Sequence, residues 1–327
     1  MLHQYTAQPV LEMKPGWEYG AGTHFDRNVT WWEQARDFFR YLARCQYLLQ
    51  QGKFVADTLY FYGEGVTKFV PSREYVSPEL PKGYDFDALN ADVLLHSLSF
   101  HDGRLRLPDG MSYRVLVLPQ DGVMSPEVLR KIKELVTQGA TVVGPRPRRV
   151  PGLRGYPRED GELNALAAEV WGDCDGKTIK EKKLGVGRIL CGRSMREILS
   201  SEGIGPDFEY QARESDAALN FVHRTTDELE IYFVINRKER IQSARCNFRV
   251  GARQPELSDP VTGERRAAKA FNQARGRTTL PLEFAPFGSL FVVFSRADRA
   301  RDERHSHSQL SGILPHCRPS RTVGGKL

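Results

Sequence analysis

The sequence predicts an α/β domain followed by an all-β domain, and three stretches carry that prediction. Tyr113 to Pro145 reads as a strand, a helix and a second strand; the chain from Asp207 onward alternates apolar and polar residues in short runs; Thr30 to Gly52 has the spacing of a long amphipathic helix ahead of both. The first pattern implies a parallel, doubly wound sheet with right-handed crossovers. The second implies a β-sandwich. We place the α/β domain at residues 53–204 and the sandwich at 205–295.

Taken in order, TWWEQARDFFRYLARCQYLLQQG offers Thr30 as an N-cap with Glu33 three positions on, Phe38, Leu42, Cys45 and Leu49 as an apolar stripe, and Gly52 as a stop. FVADTLYFYG is apolar enough for a strand buried on both faces. The loop from Glu64 to Gly83 carries Pro71, Pro78 and Pro81, and YDFDALNADVLLHSL after it reads as a helix. YRVLVLP is a strand, SPEVLRKIKELVTQG a helix capped by Ser125, opened by Pro126 and closed by Gly139, and TVVGP the next strand. GELNALAAEVWG and SMREILSSEG read as helices around the strand-like GRILCG. LNFVHRT, ELEIYFVINR, ARCNFRVG, TTLPLEF and SLFVVFS supply the strands of the sandwich.

The 327 residues are 40% hydrophobic and 27% charged, the profile of a globular protein. No run of about 18 apolar residues exists to form a helix across a membrane. MLHQYTAQPV lacks the basic and apolar regions of a secretory signal. The net charge is +6, but the seven basic residues Arg296, Arg299, Arg301, Arg304, Arg318, Arg321 and Lys326 face only Asp298, Asp302 and Glu303 in the last stretch. Most of the excess therefore sits in residues 296–327, expected to be a disordered basic tail, and not on a nucleic-acid-binding face. His305, His307, His316 and Cys317 in that tail lack the spacing of a structural zinc site. Cys45, Cys174, Cys191, Cys246 and Cys317 are odd in number and scattered, so buried free thiols are expected rather than a disulfide framework.

Several candidates for chemistry can be weighed on the residues alone. Glu64 leaves the first strand in YFYGEG, at the carboxyl edge where open α/β sheets bind ligands. It reads either as a general base or as an exposed loop glutamate. No phosphate loop accompanies Gly63 and Gly65, which weighs against nucleotide binding, and QDGVMS after VLVLP has no nucleophile at an elbow position. Trp17, Trp31 and Trp32 with His3, His24, Asp26, Arg27 and Glu33 combine flat apolar faces with directed hydrogen-bonding groups, as a sugar requires. Adjacent helical positions point about 100° apart, so one of Trp31 and Trp32 would instead anchor the helix.

PGWEYGAGTHFDRNVTWWEQARDFFRYLARCQYLLQQGKFVADTLYFYGEG, then GYDFDALNADVLL, DGMSYRVLVLP and PELSDPVTGE, resemble the later part of glycoside hydrolase family 106, the α-L-rhamnosidase type. The α/β domain also resembles the amidotransferase-like module that follows the barrel in some β-galactosidases. The resemblance implies that residues 1–52 are the last βα unit of a (β/α)8 catalytic barrel, with His3 to Val29 at its carboxyl-end rim. It implies inverting hydrolysis of rhamnosides between two carboxylates, with Glu64 the candidate general base and the acid outside the chain. His3, His24, Asp26, Arg27, Trp31 and Trp32 become candidate substrate contacts, and Asp26 or Glu64 a ligand for a calcium ion held near the substrate. The family is often secreted or periplasmic. Since most of a barrel is not in the chain, the expectation is a truncated glycosidase that is inactive alone; the competing expectation is a non-catalytic carbohydrate-binding or scaffold module.

Overall fold

The computed structural model describes residues 30–65, 69–153 and 155–296, together with the backbone of two short strands near the start. Those strands, β1 (Leu2–His3) and β2 (Thr23–His24), pair in parallel. The basic tail, with its histidines and Cys317, lies outside the described residues.

Helix α1 (Ala35–Leu49) starts later than the Thr30 cap predicts. A tight turn at Trp32–Gln34 precedes it, closed by Gln34 N–H donating to the Trp31 carbonyl at 3.0 Å, and neither Trp31 nor Gln34 caps through its side chain. Trp31 and Trp32 meet Phe38 and Phe39 edge-on, with centroids 6.3 and 6.2 Å apart, and these ring contacts fix the first turns where a capping box was expected. At the far end Gly52 has φ +55°, and a Cβ there would collide with the Thr225 carbonyl. Arg224 donates to the Gln51 and Gly52 carbonyls, both at 2.6 Å, and so fixes the turn that follows the helix.

The expected strand from Phe54 is divided between two sheets. Strand β3 (Lys53–Phe54) pairs with Arg224 and Thr225, in the all-β part of the chain, and only β4 (Thr58–Phe61) enters the parallel sheet. The helix expected over 84–98 is a strand followed by a short helix, β5 (Phe86–Leu89) and α2 (Ala91–His96). Asn90 separates them, its side chain accepting from Val93 N–H, while Phe86 to Leu89 lie in register with Thr58 to Phe61. A small antiparallel sheet follows, β6 (Ser99–His101), β7 (Arg104–Arg106) and β8 (Ser112–Tyr113).

The strand, helix and strand expected between Tyr113 and Pro145 are β9 (Val115–Val117), α3 (Pro126–Gln138) and β10 (Thr141–Val143), with Ser125 capping Val128 N–H and Gly139 ending the helix. Helix α4 (Arg158–Trp171), the hairpin β11 (Glu181–Leu184) and β12 (Gly187–Leu190), and α5 (Met195–Ser201) complete this part. The sheet order is β11-β12-β10-β9-β4-β5, and only β11 runs antiparallel to its neighbour. One face packs Leu59, Leu116, Val142 and Ile189 against α3 and α4; the other packs Tyr60, Val117 and Leu190 against α5 and the segment around Leu80.

Nine strands follow: β13 (Phe208–Ala212), β14 (Leu219–Thr225), β15 (Leu229–Asn236), β16 (Gln242–Phe248), β17 (Arg253–Ser258), β18 (Arg265–Ala267), β19 (Asn272–Ala274), β20 (Arg277–Phe284) and β21 (Ser289–Arg296). They form two antiparallel sheets, β13-β16-β20-β19 and β18-β17-β21-β15-β14-β3. Alternate residues of both, Tyr232, Val234, Phe248, Phe284 and Phe294 among them, share one core. Each such side chain contributes roughly 1.5–3 kcal/mol by leaving water. Residues of the opposite parity on the larger sheet, Ile231, Phe233, Phe291 and Val293, receive Tyr41, Cys45, Leu48 and Leu49 of α1. Tyr41 Oη and Ser289 Oγ, 3.1 Å apart, and Arg44 donating to the Pro260 carbonyl at 3.0 Å, hold the helix there.

The cysteines depart from expectation. Cys45 and Cys246 are buried free thiols, but Cys174 and Cys191 form a disulfide. Cys174 follows α4 and Cys191 follows β12, and the sheet brings together positions 17 residues apart. Spacing in sequence alone did not reveal that proximity.

Candidate functional site

The parallel sheet sets the position of Glu64. In chain order its five parallel strands are β4, β5, β9, β10 and β12, yet β4 stands between β5 and β9. The sheet therefore changes its direction of growth between β4 and β9, and the loops leaving these two strands diverge to form a crevice beyond their carboxyl ends. Glu64 is on the first of these loops, between Gly63 at φ +92° and Gly65 at φ +109°. Its Oε2 accepts the Ser125 N–H at 2.6 Å. Ser125 is the N-cap of α3, so the carboxylate faces the positive end of that helix and ties the two switch-point loops together.

The other candidates lie elsewhere. The register of β1 and β2 sets His3 opposite His24 on neighbouring parallel strands, so two candidate sugar contacts distant in sequence are adjacent in the backbone. Asp26 and Arg27 lie outside the described residues. Trp31 is half-buried and Trp32 is 39% exposed, both at the entry to α1. Trp31 and Trp32 lead into α1, which packs on the all-β part, whereas Glu64 belongs to the parallel sheet. Among the described residues no group of three or more His, Cys, Asp or Glu is arranged to hold a metal ion. Of the two calcium candidates, Asp26 lies outside the described residues, and Glu64 has one carboxylate oxygen engaged by the Ser125 N–H.

A second polar constellation escaped the sequence reading. Asp207, 2% exposed, accepts Tyr232 Oη–H at 2.8 Å and pairs with His223 Nδ1 at 2.9 Å. His223 Nε2 meets Glu230 Oε2 at 3.0 Å, and its ring stacks on Tyr232 with centroids 3.8 Å apart. Arg249 reaches Asp207 at 3.4 Å and Asp57 at 2.7 Å, linking the all-β core to the residue just before β4. Burial alone would raise the Asp207 carboxyl, but the charge and hydrogen bond of His223, with Arg249 and Tyr232, outweigh it and hold the carboxyl below the usual range. Burial alone would lower His223, and Asp207 and Glu230 outweigh it and hold the imidazole above its usual value. The signal available in the sequence was His223 at an inward position of the alternating run LNFVHRT. Asp207, His223 and Tyr232 are buried while Glu230 and Arg249 are partly exposed, and the cluster joins the two parts of the chain.

Comparison with known proteins bears on what these parts belong to. The family model for alpha-L-rhamnosidase, glycoside hydrolase family 106, matches residues 1–272. A curated protein of Formosa agariphila that carries the name "Putative beta-glucuronidase" is 34% identical over 306 residues, 93% of this chain and 24% of that protein. The solved structure of a rhamnosidase from Novosphingobium sp. PP1Y superposes with a TM-score of 0.76 at 31% identity, covering 92% of this chain and 29% of that one. The chain thus spans about a quarter of the length of the curated relative it matches. With most of its length matched by the family model and by a solved rhamnosidase, the chain belongs to glycoside hydrolase family 106, the alpha-L-rhamnosidase family.

Proposed function

We propose that this chain serves an inverting α-L-rhamnosidase acting on rhamnose-containing glycans, as the rim of its barrel and the two modules behind it. The observation that carries the reading is the parallel pairing of β1 with β2, which sets His3 beside His24 ahead of α1. Such pairing suits the closing βα unit of a (β/α)8 barrel, whose active site is built at the carboxyl ends of its strands. On this reading residues 1–52 end the barrel, 53–204 form a flavodoxin- or amidotransferase-like doubly wound domain, 205–295 a β-sandwich and 296–327 a basic tail. The strand order of the parallel sheet and the shared core of the two antiparallel sheets support the middle assignments. Strand β3, which pairs with β14, lies at the first of these junctions.

Inversion needs a carboxylate that activates water on the face opposite the leaving group. Glu64 is our candidate, with Oε2 fixed by Ser125 and Oε1 left to take the proton. His3, His24, Asp26, Arg27, Trp31 and Trp32 would bind the sugar. Hydrolysis of an aryl α-L-rhamnoside by the chain and by its Glu64→Gln variant, with an aryl β-glucuronide as comparison, tests the assignment. Turnover confined to the rhamnoside and reduced by at least about 100-fold in the variant would identify Glu64 as the general base and refute the expectation that the chain is inactive alone. Turnover unchanged in Glu64→Gln removes Glu64 from catalysis. An inactive chain that binds L-rhamnose in a calorimetric titration favours the scaffold reading instead.

A further inference from the structure

The outer face of the four-stranded sheet carries an open groove of about 620 Å³, within the range that holds small ligands. Its floor follows from register. Glu209 pairs with Asn247, Asn247 with Thr279, and Thr279 with Asn272, so four polar side chains form one row across all four strands. Two residues along, Gln211, Arg245 and Pro281 form a second row. Residues of the same strands between these positions, Phe208, Cys246, Phe248 and Leu280, point into the core, which leaves the rows on the solvent side. At about 4.8 Å per strand spacing the first row is about 14 Å long, longer than one sugar ring.

The row is held in place from beside it. Arg277 Nε donates to Asn247 Oδ1 at 3.1 Å, its Nη2 to Glu209 Oε2 at 3.3 Å and its Nη1 to the Pro206 carbonyl at 2.6 Å. Thr279 Oγ1 also donates to Asn247 Oδ1, at 3.4 Å. With Oδ1 occupied, the Asn247 amide presents its N–H donors, and the Glu209 carboxylate, tethered by one oxygen, presents the other as an acceptor. Fixed planar amide, carboxylate and guanidinium groups match the paired hydroxyls of a sugar. Phe271 and Pro281 at the groove edge supply apolar faces for its C–H groups. Carboxylate and guanidinium stand together on the face, so it has no field of one sign to select a charged polymer.

We propose that this face is a second carbohydrate site, separate from the barrel rim, which takes a neutral oligosaccharide of two or more rings and holds a glycan chain without cleaving it. The ligand class rests on the family reading of the previous subsection; the location rests on the sheet face alone. The test is isothermal titration of the full 327-residue chain with an α-linked L-rhamnotetraose, cellotetraose and a β-1,4-galactotetraose. Asn247→Ala and Arg245→Ala are compared with Ser243→Ala, which lies on the same strand outside the groove, and a melting curve checks that each variant is folded. The expected result is binding of at least one probe that weakens at least 10-fold in Asn247→Ala and in Arg245→Ala and is unchanged in Ser243→Ala. Binding of a rhamnose-free probe alone, lost in the same variants, supports the site while counting against the rhamnoside reading. Absence of heat with all three probes, or equal affinity in the wild type and both groove variants, overturns the proposal, as it would if a polypeptide segment covered this face.

Discussion

Replacing Asp207 by asparagine removes one charge from a site 2% exposed and changes little in volume. Its partners are His223 Nδ1 at 2.9 Å, Tyr232 Oη at 2.8 Å and Arg249 Nε at 3.4 Å, all of them donors. An asparagine would present its own N–H groups to one or two of these donors and leave His223 and Arg249 without the charge between them. Hydrogen bonds to a charged group contribute about 1.5–3 kcal/mol each, and removing one partner of a buried pair costs about 3–5 kcal/mol. Because the contacts are coupled they do not add, and we expect a loss of about 3–5 kcal/mol. Urea unfolding at pH 6, followed by tryptophan fluorescence, reads this as a lower midpoint at unchanged slope. The pH dependence has a definite shape. Asp207, held low, stabilises the fold above the unfolded carboxyl value near about 4 and loses that effect as pH falls through its folded value. His223, held high, stabilises the fold below the unfolded imidazole value near about 6.5 and loses that effect as pH rises through its raised folded value. The wild type should therefore be most stable between about pH 4 and 6.5, and Asp207→Asn should flatten that maximum. A loss below about 1 kcal/mol, or a pH profile of unchanged shape, would refute the assignment of a charged Asp207 and His223 pair.

Three further expectations follow from the fold. Reducing the Cys174–Cys191 disulfide, which closes a loop of 17 residues, should lower stability by about 3 kcal/mol; urea midpoints with and without reductant measure it, and free thiols at Cys174 and Cys191 in the untreated protein by peptide mass spectrometry would remove its basis. Ser194 and Glu197 form a reciprocal capping box at the start of α5, so Ser194→Ala should cost about 1 kcal/mol in the same assay, and Ser194→Asp much less. Ile231→Ala, beneath α1, should cost about 2–5 kcal/mol and speed hydrogen exchange in α1 more than in α3; equal acceleration in both helices would show that α1 does not depend on that seat.

What could be read from the sequence depended on where each residue's partners lie. Helix α3 was legible because Ser125, Pro126 and Gly139 act on their own backbone. Strands β14, β15 and β21 were legible because their inward positions repeat every second residue. Strand β5 was mistaken for helix: FDAL shows no clean alternation, and Asp87 is accommodated by Tyr113 Oη–H donating at 2.6 Å from β8 of the small antiparallel sheet. The same non-local dependence hid the Asp207 cluster, the disulfide and the row under Arg277. Of the site candidates, Glu64 was placed at the correct edge from YFYGEG, while its bond to Ser125, 61 residues away, needed the folded sheet.

Strands β3 and β4 lie three residues apart yet belong to different sheets, and α1 rests on a sheet whose last strand is residues 289–296. Order along the gene and neighbourhood in space are thus interleaved. A recombination event with its breakpoint near residue 204 would separate the apolar stripe of α1 from its sheet and take β3 away from β14. The stretch from about residue 30 to 296 should therefore have been inherited as one block, and exchange of the β-rich end between relatives should succeed only when α1 and β3 travel with it.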